Sequence, residues 1–295
     1  MTDEPGKVSP AALKKIVEKI QDLPTLPPVV SRLLGLIDDP NSSARDVEAI
    51  LSRDPSLTMK VMRLVNSPFY GYGNIKTVQQ AVVILGFEAI RGIALSAAAF
   101  EAFPGVGRPG FSRIDFWRHS LAVGVAGRLL AQRAGWKDFE EAFVAGIIHD
   151  IGKVVLDEYC PELWERVLLH TKEHNCLIVE SERAVLGLSH AQIGRWLASR
   201  WHLPPAYVAA IFYHHQPGFA ANEKKMAGVI HVADVIARTL KLGSGGDTKV
   251  PPLDPAGWKE THLAESDLKE VLALTPEAFN KADLFLALIP QGKGT

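Results

Sequence analysis

The chain has 295 residues, with 32 Lys and Arg against 33 Asp and Glu, so its formal net charge is −1. This balance excludes the basic excess with which proteins neutralise nucleic-acid phosphates, and we expect no nucleic-acid partner. Two cysteines are too few for a disulfide scaffold, the N-terminus lacks a signal-peptide pattern, and no uncharged apolar run reaches the roughly 20 residues of a bilayer span. We therefore expect a cytoplasmic protein with no membrane partner.

The first 110 residues predict a series of short helices. Apolar residues at helical spacing follow caps or turn residues at Ser9, Ser43, Asp54 and Thr77, and Gly86 is typical of a helix end. A further helix of small residues runs into a cluster of glycines and prolines at 103–110. Because such clusters interrupt regular structure, this one is the clearest boundary in the chain.

From residue 114 the pattern stays helical, and all ten histidines lie at or after His119. Helices are predicted from Pro161, Cys176 and Ser189, over 205–215 and over 223–240. A polar linker then leads into two amphipathic helices, the second starting at Thr275. No segment predicts a strand. We expect an all-α fold, with an N-terminal helical subdomain (1–110) packed on a helical bundle (111–243), followed by a linker and C-terminal helices (244–295).

The stretch from Ile147 to Lys153 combines residue types that can build a metal site. His149 and Asp150 are adjacent, so on a continuous helix their side chains diverge by about 100°. They reach one site only near a helix end, and Gly152 predicts such an end. The alternative is a core histidine hydrogen-bonded to a solvated aspartate.

Other candidate ligands lie on predicted helices. Asp234 shares an apolar stripe with Ile230. A carboxylate in such a stripe is costly to bury unless it is paired or binds metal. The alternative to a metal ligand is a buried salt bridge. His215 points inward, and His214 occupies the neighbouring face, although paired histidines also occur as capping cations. His119 lies on a helix with little polar surface and needs a partner.

The remaining candidates carry weaker signals. His190 occupies the first turn after Ser189, which forms a capping-box pair with Gln192. We interpret His231 as a surface residue. We assign no role to four further histidines, which are His170, His174, His202 and His262. The aromatic loop at 66–71 either packs between helices or forms a recognition surface.

The ordered series resembles the HD superfamily of metal-dependent phosphohydrolases, in which a histidine, an HD pair and a later aspartate surround one or two metals. The members here are His119, His149, Asp150, His190, His214, His215 and Asp234. The additional histidines and the HDIGK sequence are similar to the HD-GYP branch, which cleaves cyclic dinucleotides and whose lysine, here Lys153, contacts phosphate. After the histidine pair this chain reads Gln216-Pro217-Gly218-Phe219 in place of a GYP loop.

Over roughly residues 16–240 the chain is similar to the HDOD family, the HD-related output domains of bacterial signalling. The similarity rests on LPTLPP, SRDPSLTMKVMRLVNSPFYG and TVQQAVVILGFEAIRGIAL in the first half, and on WRHSLAVG, AGIIHDIGK, LSHAQIGRWLASRW and YHHQP in the second. It implies a regulatory domain with a signalling protein as partner and a site for one or two divalent ions, of iron, manganese or zinc.

Two alternatives remain open at this stage. In the first, the chain is an active phosphohydrolase for a nucleotide, cyclic dinucleotide or other phosphate-containing small molecule, with Asp150 as bridging ligand and Lys153 at the phosphate. In the second, it is a metal-free interaction module.

Overall fold

The computed structural model describes residues 23–36 and 42–288. Within these ranges the chain is almost entirely helical, and the all-α prediction is confirmed. The helix predicted after Ser9 lies outside the described residues. The α-helices are α1 (Pro28–Gly35), α2 (Ala44–Leu51), α3 (Pro55–Val65), α4 (Val78–Leu85), α5 (Phe87–Ala102), α6 (Arg113–Arg133), α7 (Phe139–Ile148), α8 (Ile151–Tyr159), α9 (Pro161–His174), α10 (Ile178–Leu186), α11 (His190–Arg200), α12 (Pro205–Tyr213), α13 (Lys224–Thr239), α14 (Pro255–Thr261) and α15 (Glu265–Lys281). Two 3-10 helices cover Pro217–Phe219 and Asp283–Leu288.

The N-terminal helices begin and end where local chemistry predicts. Asp54 accepts a hydrogen bond from the Leu57 amide (3.0 Å) and caps α3, and Thr77 accepts one from the Gln80 amide (3.1 Å) and caps α4. Gly86 ends α4 with φ 85°, a conformation that favours glycine. The buried helix α5 contacts α1, α3 and α4 on one side and α7 on the other, so it joins the N-terminal helices to the bundle.

One detail of the strand prediction was wrong. A hairpin of two short strands begins in the glycine and proline cluster. Its strands, of two residues each, are β1 (Gly107–Arg108) and β2 (Phe111–Ser112), and they pair antiparallel. Two-residue strands carry no alternating pattern, and therefore leave no signal in the sequence.

Helix α6 forms the centre of the bundle and contacts α7, α13 and α15. Glycines let α6 and α7 approach closely, because a Cβ at Gly146 would lie 2.5 Å from the backbone nitrogen of Gly124. This close packing brings His119 on α6 near His149 at the end of α7, with ring centroids 5.5 Å apart.

The C-terminal helices differ from the sequence prediction. Pro276 lies inside α15 rather than starting a second helix, and the following 3-10 helix contacts α3, α5 and α6. Phe285 of this segment is fully buried against Phe69 and Phe143, with ring centroids 5.8 and 5.1 Å away. The tail therefore contacts both the N-terminal helices and the bundle. The division into the three segments 1–110, 111–243 and 244–295 stays a prediction.

No single helix within the described ranges is long and apolar enough to cross a membrane. Helices α4 and α5 meet the length and composition criteria only as a pair, and they are bent by 116° relative to each other.

Candidate metal centre

His149 and Asp150 lie in the break between two helices, where adjacent side chains can reach one site. Helix α7 ends at Ile148 and α8 begins at Ile151, so the predicted helix end is present. The role predicted for Gly152 was wrong, because this residue lies inside α8. A Cβ at Gly152 would lie 2.0 Å from the carbonyl oxygen of His190. Because glycine has no Cβ, α8 and α11 can approach each other closely at the site.

The structure brings all seven predicted ligands together in two neighbouring groups. Within each group, one potential ligand atom per residue lies within 4.8 Å of the others. The first group is Asp150, His190, His214 and His215, and the second is His119, His149 and Asp234. Because they come from helices α6, α11 and α13 and from the turns after α7 and α12, only the packed bundle creates the cluster.

Asp150 lies between the two groups and presents one carboxylate oxygen to each. Its Oδ1 is 3.0 Å from His190 Nε2 and 3.4 Å from His214 Nε2. Its Oδ2 is 3.4 Å from His149 Nε2 and 3.7 Å from His119 Nε2. In this position the carboxylate would be able to ligate a cation in either group.

Within each group, further ligand atoms crowd together. His119 Nε2 lies 3.1 Å from Asp234 Oδ1 in the second group. In the first, His190 Nε2 lies 3.3 Å from His214 Nε2 and 3.0 Å from His215 Nε2.

Hydrogen bonds on the far side of the rings orient three of the histidines. The Nδ1 atoms of His149, His214 and His190 lie 2.7 Å from the Gly146 carbonyl, 2.9 Å from the Ile211 carbonyl and 2.6 Å from Glu182 Oε2. In each case Nδ1–H is the donor, since the partner is an acceptor. A neutral imidazole that donates from Nδ1 keeps a lone pair on Nε2, which here faces the cluster.

Several of these atoms have no hydrogen-bond partner although they are buried. They are Nε2 of His119, Nε2 of His149 and Oδ1 of Asp150. Buried polar atoms are normally satisfied, and converging acceptors without a donor fit a cation between them. The residues therefore fit a metal ion, which would be coordinated by imidazole nitrogens and carboxylate oxygens.

The electrostatics keep most of the cluster in its ligand form at neutral pH. Burial lowers the pKa of His119, takes that of His214 to about 4, and holds that of His215 well below its usual range. Burial alone would raise the pKa of Asp150 and Asp234, but the His149 imidazole and the Lys153 ammonium beside Asp150, and the Arg238 guanidinium beside Asp234, keep both pKa values well below the usual value.

Lys153 is also part of the cluster. It is fully buried, and its Nζ donates a hydrogen bond to Asp150 Oδ2 at 2.6 Å. The ammonium group thus lies on the side of the carboxylate that faces the second group. Its location beside the ligands agrees with the sequence interpretation, and its role at a phosphate stays a prediction.

Two supporting residues were missed by the sequence analysis. Glu182 on α10 is fully buried and holds His190, and this contact raises the pKa of that imidazole against the lowering effect of burial. Arg238 donates from Nε to Asp234 Oδ1 at 2.9 Å. Glu182 stands among apolar residues at helical spacing, such as Ile178 and Val185, so the stripe argument applied to Asp234 would have found it.

The interpretation of His231 as a surface residue was wrong. It is 3% exposed, its Nδ1 donates to the His214 carbonyl at 2.8 Å, and its Nε2 accepts from the Asp254 amide at 2.8 Å. His231 therefore connects the backbone of a candidate ligand to the segment that follows α13. On a helical wheel His231 shares a face with Gly228, which suggests an exposed face. In the structure the chain around Asp254 and Gly257 packs against that face and buries it.

Other expectations can also be placed. His170 and His174 stack on each other, with ring centroids 3.9 Å apart, and belong to neither ligand group. Cys160 and Cys176 form no disulfide. The aromatic loop packs between helices, because Tyr70 is buried and its hydroxyl lies 3.4 Å from Glu140 Oε2. The packing interpretation of that loop is confirmed.

The sequence model of the HDOD domain matches residues 23–217, about two thirds of the chain. The chain belongs to the HDOD family. The resemblance inferred from the sequence is thus confirmed. The HDOD match ends before Asp234, so it includes six of the seven candidate ligands and leaves out the seventh.

Solved structures agree with the HDOD assignment. An HDOD domain protein of unknown function from Geobacter sulfurreducens is 26% identical, with a TM-score of 0.78 over 92% of this chain and 97% of that chain. A candidate phosphohydrolase from Shewanella amazonensis SB2B is 27% identical, with a TM-score of 0.72 over 93% and 98%. An uncharacterized curated protein of Treponema pallidum (strain Nichols) is 25% identical over 228 residues, and the match spans 76% of this chain but 44% of that relative.

Proposed function

We propose that this HDOD protein is a regulatory domain that holds two divalent transition-metal ions bridged by Asp150. The observation that carries the proposal is the position of this carboxylate, whose two oxygens each face a separate group of ligands. Each half then offers four donors, and four N and O donors suit a transition metal in a protein. A single ion in one half would leave the other group of buried acceptors unsatisfied.

The donor set favours iron, manganese or zinc. Five imidazoles and two carboxylates make up the ligands. Magnesium and calcium prefer oxygen ligands and retained water, which this nitrogen-rich cluster does not match. Histidines that are neutral at pH 7 also bind an ion without first releasing a proton.

Burial of the centre supports a regulatory role. His149, His190 and Lys153 have no exposed surface, and Asp150 is 1% exposed. These four residues are therefore closed off from a substrate in this conformation. Regulatory output requires only that metal occupancy change the stability or shape of the domain, and we expect a signalling protein to bind it and respond.

Metal titration tests the proposal directly. The protein is stripped with a chelator, and Fe²⁺, Mn²⁺ or Zn²⁺ is added while bound metal is measured by elemental analysis and calorimetry. We expect two ions per chain in the wild type and loss of both in Asp150→Ala. His170→Ala changes a half-buried histidine outside the cluster; it is the matched control and should keep both. Absence of binding, or equal stoichiometry in both variants, would refute the metal centre.

A second function, phosphohydrolase activity, is favoured by Lys153. A fully buried ammonium beside a bridging carboxylate is positioned to neutralise a phosphate oxygen, and a relative of 27% identity is described as a candidate phosphohydrolase. Bound divalent ions would supply Lewis acidity and lower the pKa of water. In this scheme Lys153 binds the anion beside the second ligand group, which contains His119 and Asp234.

A turnover screen over cyclic dinucleotides, nucleotides and simple phosphodiesters separates the two functions. Turnover that is present in the wild type and in His170→Ala but lost in Lys153→Met would establish the enzyme. Metal-loaded protein that turns over none of these substrates would leave the regulatory function standing.

A further inference from the structure

The chain after α13 covers the candidate metal centre. We call residues 243–249 the strap. The sequence predicted a polar linker here, but Gly245 is buried and lies directly over the site. A Cβ on Gly245 would lie 3.1 Å from Lys153 Nζ and 3.5 Å from Asp150 Oδ2. Any larger residue would enter the centre, so the strap backbone occupies the space in front of the bridging carboxylate.

Contacts with three different helices hold the strap in place. The Ser244 amide donates to the Asp115 carbonyl at the start of α6 (2.9 Å). Asp247 Oδ2 accepts from the Ile178 amide at the start of α10 (3.1 Å), and Asp247 Oδ1 accepts from Arg238 of α13 (2.9 Å). The strap therefore spans the mouth of the site rather than lying along one element.

The Asp247–Arg238 ion pair is the strongest of these attachments. Both side chains are nearly buried, at 2% and 6% exposure, and Arg238 also binds the Lys249 carbonyl (3.2 Å). Charge-assisted hydrogen bonds are about twice as strong as neutral ones, especially away from water. Arg238 at the same time holds the candidate ligand Asp234, so one guanidinium joins the strap to the metal centre.

A cavity of about 340 Å³ lies beside this ion pair. Its wall includes His119, Arg238, Ser244, Gly245 and Asp247. The cavity thus extends from a candidate metal ligand to the strap. It offers a small molecule a route to His119 of the second ligand group once the strap moves.

We propose that the strap is an autoinhibitory cover, closed by the Asp247 carboxylate on Arg238, and that an oxyanion opens it by taking the place of that carboxylate. The inference rests on the proposed metal centre for its role, but the closure itself depends only on residues of this chain. Phosphate is the relevant oxyanion, because a guanidinium binds carboxylate and phosphate in the same geometry. The strap lies beyond the residues matched by the HDOD family.

Hydrogen–deuterium exchange on the metal-free 295-residue chain tests the closure. In Asp247→Asn the strap amides should exchange about tenfold faster than in the wild type, the factor expected for loss of one charged hydrogen bond. Gly246→Ala is an independent perturbation, because Gly246 has φ 102° and a Cβ there would meet Ile178 Cδ1 at 2.5 Å. Ile178 belongs to neither ligand group. Thr248→Ala, at an exposed position on the strap, should exchange like the wild type.

Two further arms complete the experiment. Mn²⁺-loaded Asp247→Asn should lose its metal to EDTA about tenfold faster than Thr248→Ala. Inorganic phosphate should accelerate strap exchange in the wild type relative to chloride at equal ionic strength. The closure is refuted if the strap amides of both Asp247→Asn and Gly246→Ala exchange at the rate of Thr248→Ala. Opening by an oxyanion is refuted if the strap amides of the wild type exchange equally fast in phosphate and in chloride. If no metal binds, the proposed centre fails while the exchange data still decide on the strap.

Discussion

The contact between Glu182 and His190 can be used to test how a buried carboxylate changes the metal affinity of the cluster. Glu182 Oε2 accepts hydrogen bonds from the backbone amide of His190 (2.9 Å) and from its Nδ1 (2.6 Å). Glu182→Gln keeps the size of the side chain and removes its charge. The amide can satisfy the histidine, but it no longer makes the imidazole more basic.

The expected size of the effect follows from this geometry. Loss of a partner that orients a metal-bound histidine lowers metal affinity by about 10–100-fold. The charge of Glu182 also raises the pKa of His190, so protons compete with metal at a higher pH in the wild type than in the variant. The affinity loss should therefore be largest at alkaline pH, once His190 is deprotonated in both proteins, and should shrink as the pH falls.

The assay is a competition titration with a chromophoric chelator, using Zn²⁺ at several pH values. Glu180→Gln is the matched control, because Glu180 lies on the same helix, is exposed, and only caps the Leu177 amide (2.9 Å). We expect Glu180→Gln to bind like the wild type at every pH. An affinity of Glu182→Gln equal to that control, or a deficit that grows on acidification, would refute the reasoning.

Three further outcomes are expected in the metal-free protein. Gly152→Ala should lower the free energy of unfolding by about 2 kcal/mol or more, because the new methyl group would meet a backbone oxygen of α11. Gly35→Ala is the control and should cause no such loss, because the space around Gly35 is open. Chemical denaturation measures both variants. Lowering the pH from 7 to 5 should destabilise the protein by about 2 kcal/mol through His214 alone. The folded-state pKa of His214, about 4, lies below its unfolded value, so the unfolded state binds more protons in this pH range. A free energy of unfolding that does not change between pH 7 and 5 would contradict this. Phe285→Ala should cost about 3–5 kcal/mol by leaving a cavity among aromatic rings, while the half-exposed Leu274→Ala changes melting little.

Much of the helical architecture could be predicted because its signals are local. The caps at Asp54 and Thr77 and the left-handed glycine at Gly86 act within one turn of chain. Pro276 shows the limit of such rules, since it is accommodated inside α15, whose Val271 and Phe279 are buried. Tertiary packing there outweighs the local preference for a helix break.

The role of His231 shows a second limit. A helical wheel describes one helix, but the partners of His231 are a carbonyl at the end of α12 and an amide at the start of α14. The strap was likewise predicted as a linker because glycines and polar residues are typical of exposed loops. Its burial depends on contacts with helices that are distant in sequence.

The sequence by itself determined the family, the helical class and the seven candidate ligands, because residue type and helical period are properties of the chain alone. Only the tertiary structure decided that the two oxygens of Asp150 face different ligand groups, that Glu182 and Arg238 hold the ligands, and that residues 243–249 cover them. These relations join atoms on helices far apart in the sequence. The close packing of α6 with α7 and of α8 with α11 fixes them, and no spacing along the chain encodes that packing directly.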